Sequence, residues 1–180
     1  MPGPVPAAHP GPKRPLSDDS LAEAFSDLVG DLDYPMAVVT VAAGDRRGGC
    51  LVGFSTQCSI DPPRYAVWIS RKNHTYELAR TATVLAVHFL SSDQRDLAEL
   101  FGGETGDEVD KFTRCRWREG MGGVPVLEDC GRWFLGSVIE QIPTEDHVGF
   151  LLSPMAVESG DWLGQLGFQS IRSITPGHRA

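Results

Sequence analysis

Short apolar runs separated by turn-forming residues dominate the middle of the chain. They are rich in β-branched and aromatic residues, a composition typical of β-strands. Six such runs follow one another, at residues 36–41, 50–54, 65–70, 84–90, 132–142 and 147–158. The segment AGDRRGG at 43–49 has turn composition, so the first two runs are predicted to form a hairpin.

A helical period precedes the first strand. Ser20 and Glu23 have the spacing of a capping box, so a helix is predicted to begin at Ser20 and to end before Pro35. Its apolar residues repeat every three to four positions and are expected to form one buried face: Leu21, Phe25, Leu28 and Val29.

Only two further short helices are predicted, at 75–80 and 92–101, with Leu97, Leu100 and Phe101 on one side of the second. Strands that follow one another through tight turns favour an antiparallel sheet closed into a barrel of about six strands. The fold class is therefore mainly β with a few helices. The chain contains neither the G-x-G-x-x-G nor the G-x-x-x-x-G-K-[ST] pattern, which disfavours a Rossmann or P-loop nucleotide site.

Three regions are expected along the chain. Residues 1–17 are rich in Pro and Gly and are predicted to be a flexible tail, and residues 18–160 form the folded domain. The extension 161–180 is too apolar for a free tail, because it contains Trp162, Leu163, Leu166, Phe168 and Ile171. It is expected to pack either over the barrel or over a partner subunit.

Composition excludes several classes of protein. The formal net charge of the 180 residues is −8, which argues against nucleic-acid binding. No apolar stretch reaches the ~20 residues of a membrane helix. The first 15 residues lack the apolar core of a secretory signal, so the sequon Asn73-His74-Thr75 is not expected to carry a glycan. Four cysteines without a C-x-x-C pair predict neither a structural metal site nor disulfides in a reducing cytoplasm.

Two polar segments follow strands and are the first candidates for a site. The segment GFSTQCSIDPP, at 53–63, is either a surface loop or a rim whose backbone N–H groups and hydroxyls face a planar polar ligand. In SRKNHTYEL, at 70–78, Arg71 and Lys72 precede a helix start, which would suit an anion. The alternative is a helix capped by Asn73 or Thr75 and preceded by solvated cations.

Two further groups could take part in chemistry. Lys111 lies between Asp110 and Phe112. A lysine beside an aromatic residue is more often a solvated charge next to a ring of the core than a functional group. His147 follows Glu145 and Asp146 at a turn, where a histidine is more often a surface group than a catalyst.

Taken in order, these segments resemble the flavin reductase-like, FMN-binding split-barrel family. The resemblance rests on GFSTQCSIDPP, SRKNHTYEL, VLAVHFLSSDQRDLAELF, DKF and EDHVGFLL, and it covers residues 34–158. It implies a homodimeric antiparallel split β-barrel that holds FMN or FAD in a groove near the subunit interface. It also implies NADH or NADPH as the hydride donor.

The resemblance assigns roles to individual residues. The flavin ring or ribityl chain would contact Phe54, Ser55, Thr56, Gln57 and Cys58, and the phosphate would contact Arg71, Asn73, His74 and Thr75. Lys111 and Phe112 match the family's Lys/Arg-Phe pair near the flavin. His147 matches a histidine near the nicotinamide and is the one catalytic candidate.

The sequence departs from the family pattern at several positions. Leu51 stands where a threonine is usual, and Phe54-Ser55 replaces the usual Ser-Phe. Three functions stay open: an NAD(P)H-dependent flavin reductase that could supply a monooxygenase, a flavin-binding or electron-carrying protein, and a split barrel for a deazaflavin or haem. Hydride transfer between nicotinamide and flavin needs positioning and stabilisation of negative charge more than acid–base groups. Backbone donors in 55–58 are therefore favoured over carboxylates.

Overall fold

A computed structural model describes residues 17–177, which divide into two compact units, 17–32 and 33–177. Apart from Ser17, the predicted tail 1–17 lies outside the described residues. Among residues 17–177, no helix is long and apolar enough to cross a membrane.

The first unit contains helix α1 (Asp18–Gly30). Ser17 is its N-cap, and its hydroxyl accepts a hydrogen bond from the Ser20 backbone N–H at 3.4 Å, so the helix begins two residues before the predicted start. The predicted buried face is wrong, because no residue of α1 is buried and Phe25 is 61% exposed. A helical period identifies which side chains share a face, but it does not supply a surface that covers them.

The second unit is built on one antiparallel sheet of seven strands in the order β2-β1-β5-β8-β9-β4-β3. These strands are β1 (Ala37–Ala43), β2 (Arg46–Val52), β3 (Ser55–Ile60), β4 (Pro63–Ser70), β5 (Val84–Phe89), β8 (Arg132–Pro143) and β9 (His147–Ser159). A separate two-stranded sheet pairs β6 (Trp117–Glu119) with β7 (Pro125–Leu127). Helices α2 (His74–Ala79), α3 (Arg95–Gly103) and α4 (Phe168–Ile171) and two short 3-10 helices, Lys111–Thr113 and Met121–Gly123, complete the unit.

All six predicted strands are present, and the mainly β class with an antiparallel barrel is confirmed. Inner faces of β1, β2, β4, β5, β8 and β9 share a single core with Leu78 and Ala79 of α2, so the sheet curls around its own apolar side chains. The predicted turn at 43–49 is too long, and the surface loop that was one alternative for 53–63 is wrong for most of that segment. Residues 55–60 form an edge strand, β3, and β2 starts at Arg46, which leaves only Gly44 and Asp45 for the turn.

A fully buried histidine joins the two sheets. The Nε2 atom of His88 lies 3.0 Å from the Leu127 backbone N–H, which can only donate, so Nε2 is the acceptor. The Nδ1 atom therefore carries the proton and donates to the Val38 carbonyl at 3.1 Å. Burial keeps this imidazole neutral and lowers its pKa from 6.5 to about 4.

The C-terminal segment packs on the sheet of its own chain. The Met36 N–H donates to the Leu166 carbonyl at 2.9 Å, and the Leu166 N–H donates to the Leu90 carbonyl at 2.8 Å. Leu166 and Ile171 are buried in a second apolar core together with Phe101 and other residues. The extension therefore packs over the barrel of its own chain, which was the first of the two alternatives.

Candidate functional site

Two neighbouring grooves flank strand β2 and the start of helix α2. The first, here called the aromatic groove, has a volume of about 210 Å³. Cys50 to Phe54 and Asn73 lie along it, and ring side chains form much of its wall: Tyr34, Phe54, Trp68, His147 and Phe168. This composition suits a flat apolar ligand with a polar edge.

The second, here called the charged groove, has a volume of about 330 Å³ and continues along the same two elements. Neighbouring residues line the two grooves. Cys50 and Asn73 line the aromatic groove, whereas Gly49 and His74 line the charged groove. Its basic side chains are Arg46, Arg47, His74 and Lys111, and its acidic ones are Asp45, Asp107, Glu108 and Asp110. Two of the carboxylates already have partners, because Asp107 contacts His74 and Asp110 accepts the Phe112 N–H.

Lys111 is a buried cation at the base of the charged groove. Its ammonium donates to the Gly49 carbonyl at 3.2 Å and to the Phe101 carbonyl at 3.0 Å, and only 5% of the residue is exposed. Burial lowers its pKa, while the Cys50 thiol and Glu104 act in the opposite direction. Lys111 therefore joins β2 to the end of α3. Its neighbour Phe112 packs edge-on against Phe101 in the second core.

The start of α2 is capped by its own sequence. The Asn73 side chain accepts a hydrogen bond from the Thr75 N–H at 2.9 Å, and Thr75 itself is buried. This confirms the cap that was the alternative to an anion site. The two interpretations are compatible, since Asn73 also lines the aromatic groove and His74 lines the charged one. His74 Nδ1 lies 2.7 Å from Asp107 Oδ1, and this pair lowers the pKa of Asp107.

Arg71 lies apart from both grooves. Its guanidinium donates to the backbone carbonyls of Thr144 and Glu145, each at 3.2 Å, and to the Tyr76 hydroxyl at 3.4 Å. These partners fasten the turn between β8 and β9 to the end of β4. Arg71 lines neither the aromatic nor the charged groove.

Only part of the segment 54–58 faces the aromatic groove. Phe54 lines it, whereas the Ser55 hydroxyl lies 3.0 Å from the Tyr65 hydroxyl. The hydroxyl of Thr56 donates to the Gln57 carbonyl, and the Gln57 amide donates to the Ser59 carbonyl. Cys58 is exposed, at an irregularity in the pairing of β3 with β4. Since β3 is an edge strand, its free side has no strand partner, although the Ser55 N–H already donates to the Gly53 carbonyl at 3.1 Å.

His147 begins strand β9 at the edge of the aromatic groove. Its ring centroid lies 5.3 Å from that of Phe54, and its Nδ1 atom lies 2.8 Å from Asp146 Oδ1. This contact lowers the pKa of Asp146 and fixes the orientation of the imidazole. The structure thus brings His147, Phe54 and Asn73 to one groove and His74 and Lys111 to its neighbour.

Sequence reasoning missed five residues that line these grooves. Arg46 and Arg47 were assigned to a turn, Trp68 to a strand core and Phe168 to an extension, and Tyr34 was given no role. The only available signal was the Arg pair beside glycines, a pattern that turns share.

Comparison with known proteins identifies the family of this chain. The sequence profile of the family described as "Flavin reductase like domain" matches residues 29–169. A probable flavin reductase of Rhizobium meliloti is 30% identical over 142 residues, which is 77% of this chain and 44% of the relative. The reductase subunit Stc3 of stachydrine N-demethylase, from the same organism, is 29% identical over 72% of this chain and 54% of its own. The chain thus spans about half the length of these two relatives.

A shorter relative and a solved structure cover more of their own length. The FMN reductase (NADH) RutF of Cronobacter sakazakii is 29% identical over 143 residues, 77% of this chain and 83% of the relative. The crystal structure of an FMN-binding protein from Thermus thermophilus with bound 1-cyclohex-2-enone is 31% identical, with a TM-score of 0.67 and 72% of each chain covered.

Proposed function

The chain belongs to the flavin reductase-like domain family, and from that premise we propose that it is an NAD(P)H-dependent flavin reductase that binds FMN or FAD. The observation that carries this proposal is the adjacency of the aromatic and charged grooves along β2 and α2. A flavin nucleotide is itself a planar ring system joined to a phosphate. The two grooves offer each half of such a ligand the environment that its chemistry requires.

The residues present fit a flavin. The flat ring suits the walls formed by Tyr34, Phe54 and Trp68. Edge strand β3 follows Phe54 directly, and the backbone N–H groups on its free side beyond Ser55 would donate to the polar edge of the ring. The phosphate suits Arg46 and Arg47, together with His74 and the Asn73–Thr75 turn. Leu51, in place of the usual threonine, lines the aromatic groove without a hydroxyl and offers a ligand only apolar contact there.

When bound, a flavin supplies the redox chemistry by accepting a hydride from the nicotinamide. The protein's own groups position the two rings and exclude water, and no side-chain base is required. The backbone N–H groups on the free side of β3 beyond Ser55 would stabilise negative charge at the polar edge of the flavin. His147, whose Nδ1 donates to Asp146, would use Nε2 to accept a hydrogen bond from the carboxamide N–H of the nicotinamide and so hold that ring beside Phe54. Lys111 does not need to contact the ligand. Its hydrogen bond to the Gly49 carbonyl holds the backbone of β2 in position beside the grooves.

A visible spectrum recorded without oxygen tests the activity. The protein is mixed with FMN or FAD, and NADH or NADPH is then added, with flavin and nucleotide alone as the control. We expect the visible absorption band of the oxidised flavin to bleach at a rate many times that of the control. Bleaching no faster than the control would contradict the reductase.

A second function is favoured by the Thermus relative, whose description is that of an FMN-binding protein. In this case the chain would hold FMN as a carrier of electrons and would not oxidise NAD(P)H. The same spectrum distinguishes the two, because a carrier shifts the flavin band on binding without bleaching it. A chain that leaves the flavin spectrum unchanged would direct the test to a deazaflavin or haem.

We further propose a homodimer. Apolar side chains lie exposed on the outer surface of the sheet, at Ile60, Ile139, Met155 and Val157, and Ile60 is 84% exposed. We infer that these side chains belong to one patch that a second subunit covers, as the resemblance to a homodimeric family implies. Light scattering coupled to size-exclusion chromatography should give twice the chain mass of 19.5 kDa. The double substitution Ile60→Lys and Val157→Lys should shift the measured mass towards that of one chain. A parent protein that already has the mass of one chain would contradict the dimer.

The proposed setting is the cytoplasm, where the four cysteine thiols, none of which forms a disulfide, would stay reduced. A flavin-dependent monooxygenase is the proposed partner, by analogy with the relative that is the reductase subunit of a demethylase.

A further inference from the structure

The C-terminal segment places an aromatic ring in the aromatic groove. Phe168, the first residue of α4, stacks on Tyr34 with ring centroids 4.8 Å apart and ring planes inclined by only 14°. The Phe168 N–H also donates to the Tyr34 carbonyl at 3.0 Å. Both rings line the groove, so the segment after the last strand contributes directly to its wall.

The stack continues into a longer aromatic surface. The Tyr34 ring lies 6.4 Å from the Phe54 ring, and Phe54 lies 5.3 Å from the His147 imidazole. Phe54 is 55% exposed even though it has an aromatic neighbour on each side. Four rings from four separate segments thus border one groove, and part of their apolar area is in water. A flat ligand would cover that area.

Two local features fix the stack before any ligand arrives. Gly53 leaves room for the Tyr34 ring, because a Cβ atom at this position would collide with the ring edge. Asp33 holds the other end, since its carboxylate accepts the Gln169 N–H at 2.9 Å. Stacking residues that are already immobile lose little conformational entropy on binding, which favours affinity.

We propose that Tyr34 and Phe168, together with Phe54, form a stacking surface for a planar nitrogen heterocycle, which makes the C-terminal segment part of the binding site. The heterocycle is either the isoalloxazine ring of the flavin or the nicotinamide ring of the hydride donor. This inference rests on the proposed function for the identity of the ligand. It assigns to the extension a role in recognising the ring, distinct from the packing role of Leu166 and Ile171.

The test compares Phe168→Leu and Tyr34→Leu with Ile171→Ala. The first two keep apolar volume but remove an aromatic face, whereas Ile171→Ala loosens the same segment without touching the groove. Riboflavin, FMN and NADH are the probes: Kd for the flavins from fluorescence quenching, and KM with kcat for NADH. Stacking on a nucleobase-like ring is worth enough to change affinity by about tenfold.

If the isoalloxazine ring stacks here, Phe168→Leu and Tyr34→Leu should raise Kd for riboflavin and FMN by the same factor, about tenfold. If the nicotinamide ring stacks here, they should raise the KM for NADH by a similar factor and leave both flavin affinities unchanged. Ile171→Ala should lower Tm and change neither the Kd values for the flavins nor the KM for NADH. The inference is overturned if the two aromatic variants alter no binding constant, or if Ile171→Ala alters them equally.

Failure of the function and failure of the inference are separable. Parent protein that binds riboflavin tightly but never oxidises NAD(P)H would refute the reductase and leave the flavin arm of the test intact. Parent protein that turns over NADH while Phe168→Leu behaves identically would refute only the stacking surface.

Discussion

Replacing His88 with Ala should lower the free energy of unfolding by about 3–5 kcal/mol. The imidazole is fully buried between β1, β5 and β7, and it satisfies the Val38 carbonyl and the Leu127 N–H at the same time. Its removal leaves a cavity and deprives the buried Leu127 N–H of its hydrogen-bond partner. Urea denaturation at pH 7.5 measures the loss, with His88→Leu as the volume-matched comparison. A loss below about 1 kcal/mol in His88→Ala would contradict this role.

The same histidine should make the parent protein sensitive to acid. Its folded pKa of about 4 lies below the unfolded value of 6.5, so only the unfolded chain gains a proton between these two pH values. The contribution to stability is complete above pH 6.5 and is lost as the pH falls towards 4, by about 3 kcal/mol in total. His88→Leu, which cannot titrate, should be destabilised relative to the parent at pH 7.5, and the difference should shrink by pH 4.5. A constant difference across this range would contradict the assignment.

Replacing Arg46 with Ala should weaken FMN binding by about tenfold to a hundredfold while changing riboflavin affinity little. Arg46 lines the charged groove beside His74 and Asp107, and loss of a charge-assisted hydrogen bond to phosphate has an effect of this size. Riboflavin has the same ring and no phosphate, so the ratio of the two Kd values isolates the phosphate contact. Fluorescence titration of both ligands gives that ratio directly.

Arg71→Ala is the matched comparison for this experiment, because the family resemblance assigns the phosphate contact to Arg71. Its guanidinium already donates to the Thr144 and Glu145 carbonyls and to Tyr76. We therefore expect a smaller change in the FMN-to-riboflavin ratio than for Arg46→Ala. A larger change in the ratio for Arg71→Ala would show that Arg71, at the end of β4, contacts the phosphate. Equal losses of FMN and riboflavin affinity in Arg46→Ala would show that Arg46 does not contact the phosphate.

Much of the fold could be predicted from the sequence because burial imposes a period that can be counted. Strands β1, β5, β8 and β9 coincide with their apolar runs to within a few residues. Strand β3 could not be found in this way, because it has polar residues on both faces and none of its residues is buried. The three-residue strands β6 and β7 are too short to show any period.

The candidate site was predictable where a residue acts through local chemistry. Asn73 was one of two predicted caps for α2, and it does cap that helix. Lys111 was weighed as a solvated charge and is instead buried, because its partners are backbone carbonyls that no side-chain pattern records. Phe168 could not be predicted, since its contact with Tyr34 depends on how the whole sheet curls.

That contact also sets the order in which the site can come into being. Asp33 and Gln169, which hold the stack from both sides, are 136 residues apart in the chain. A nascent polypeptide that has released β9 from the ribosome possesses every strand of the sheet and still lacks one wall of the aromatic groove. The wall that Tyr34 and Phe168 form is therefore complete only once residues 166–171 have emerged and docked, so no ligand can use this wall during the early steps of folding.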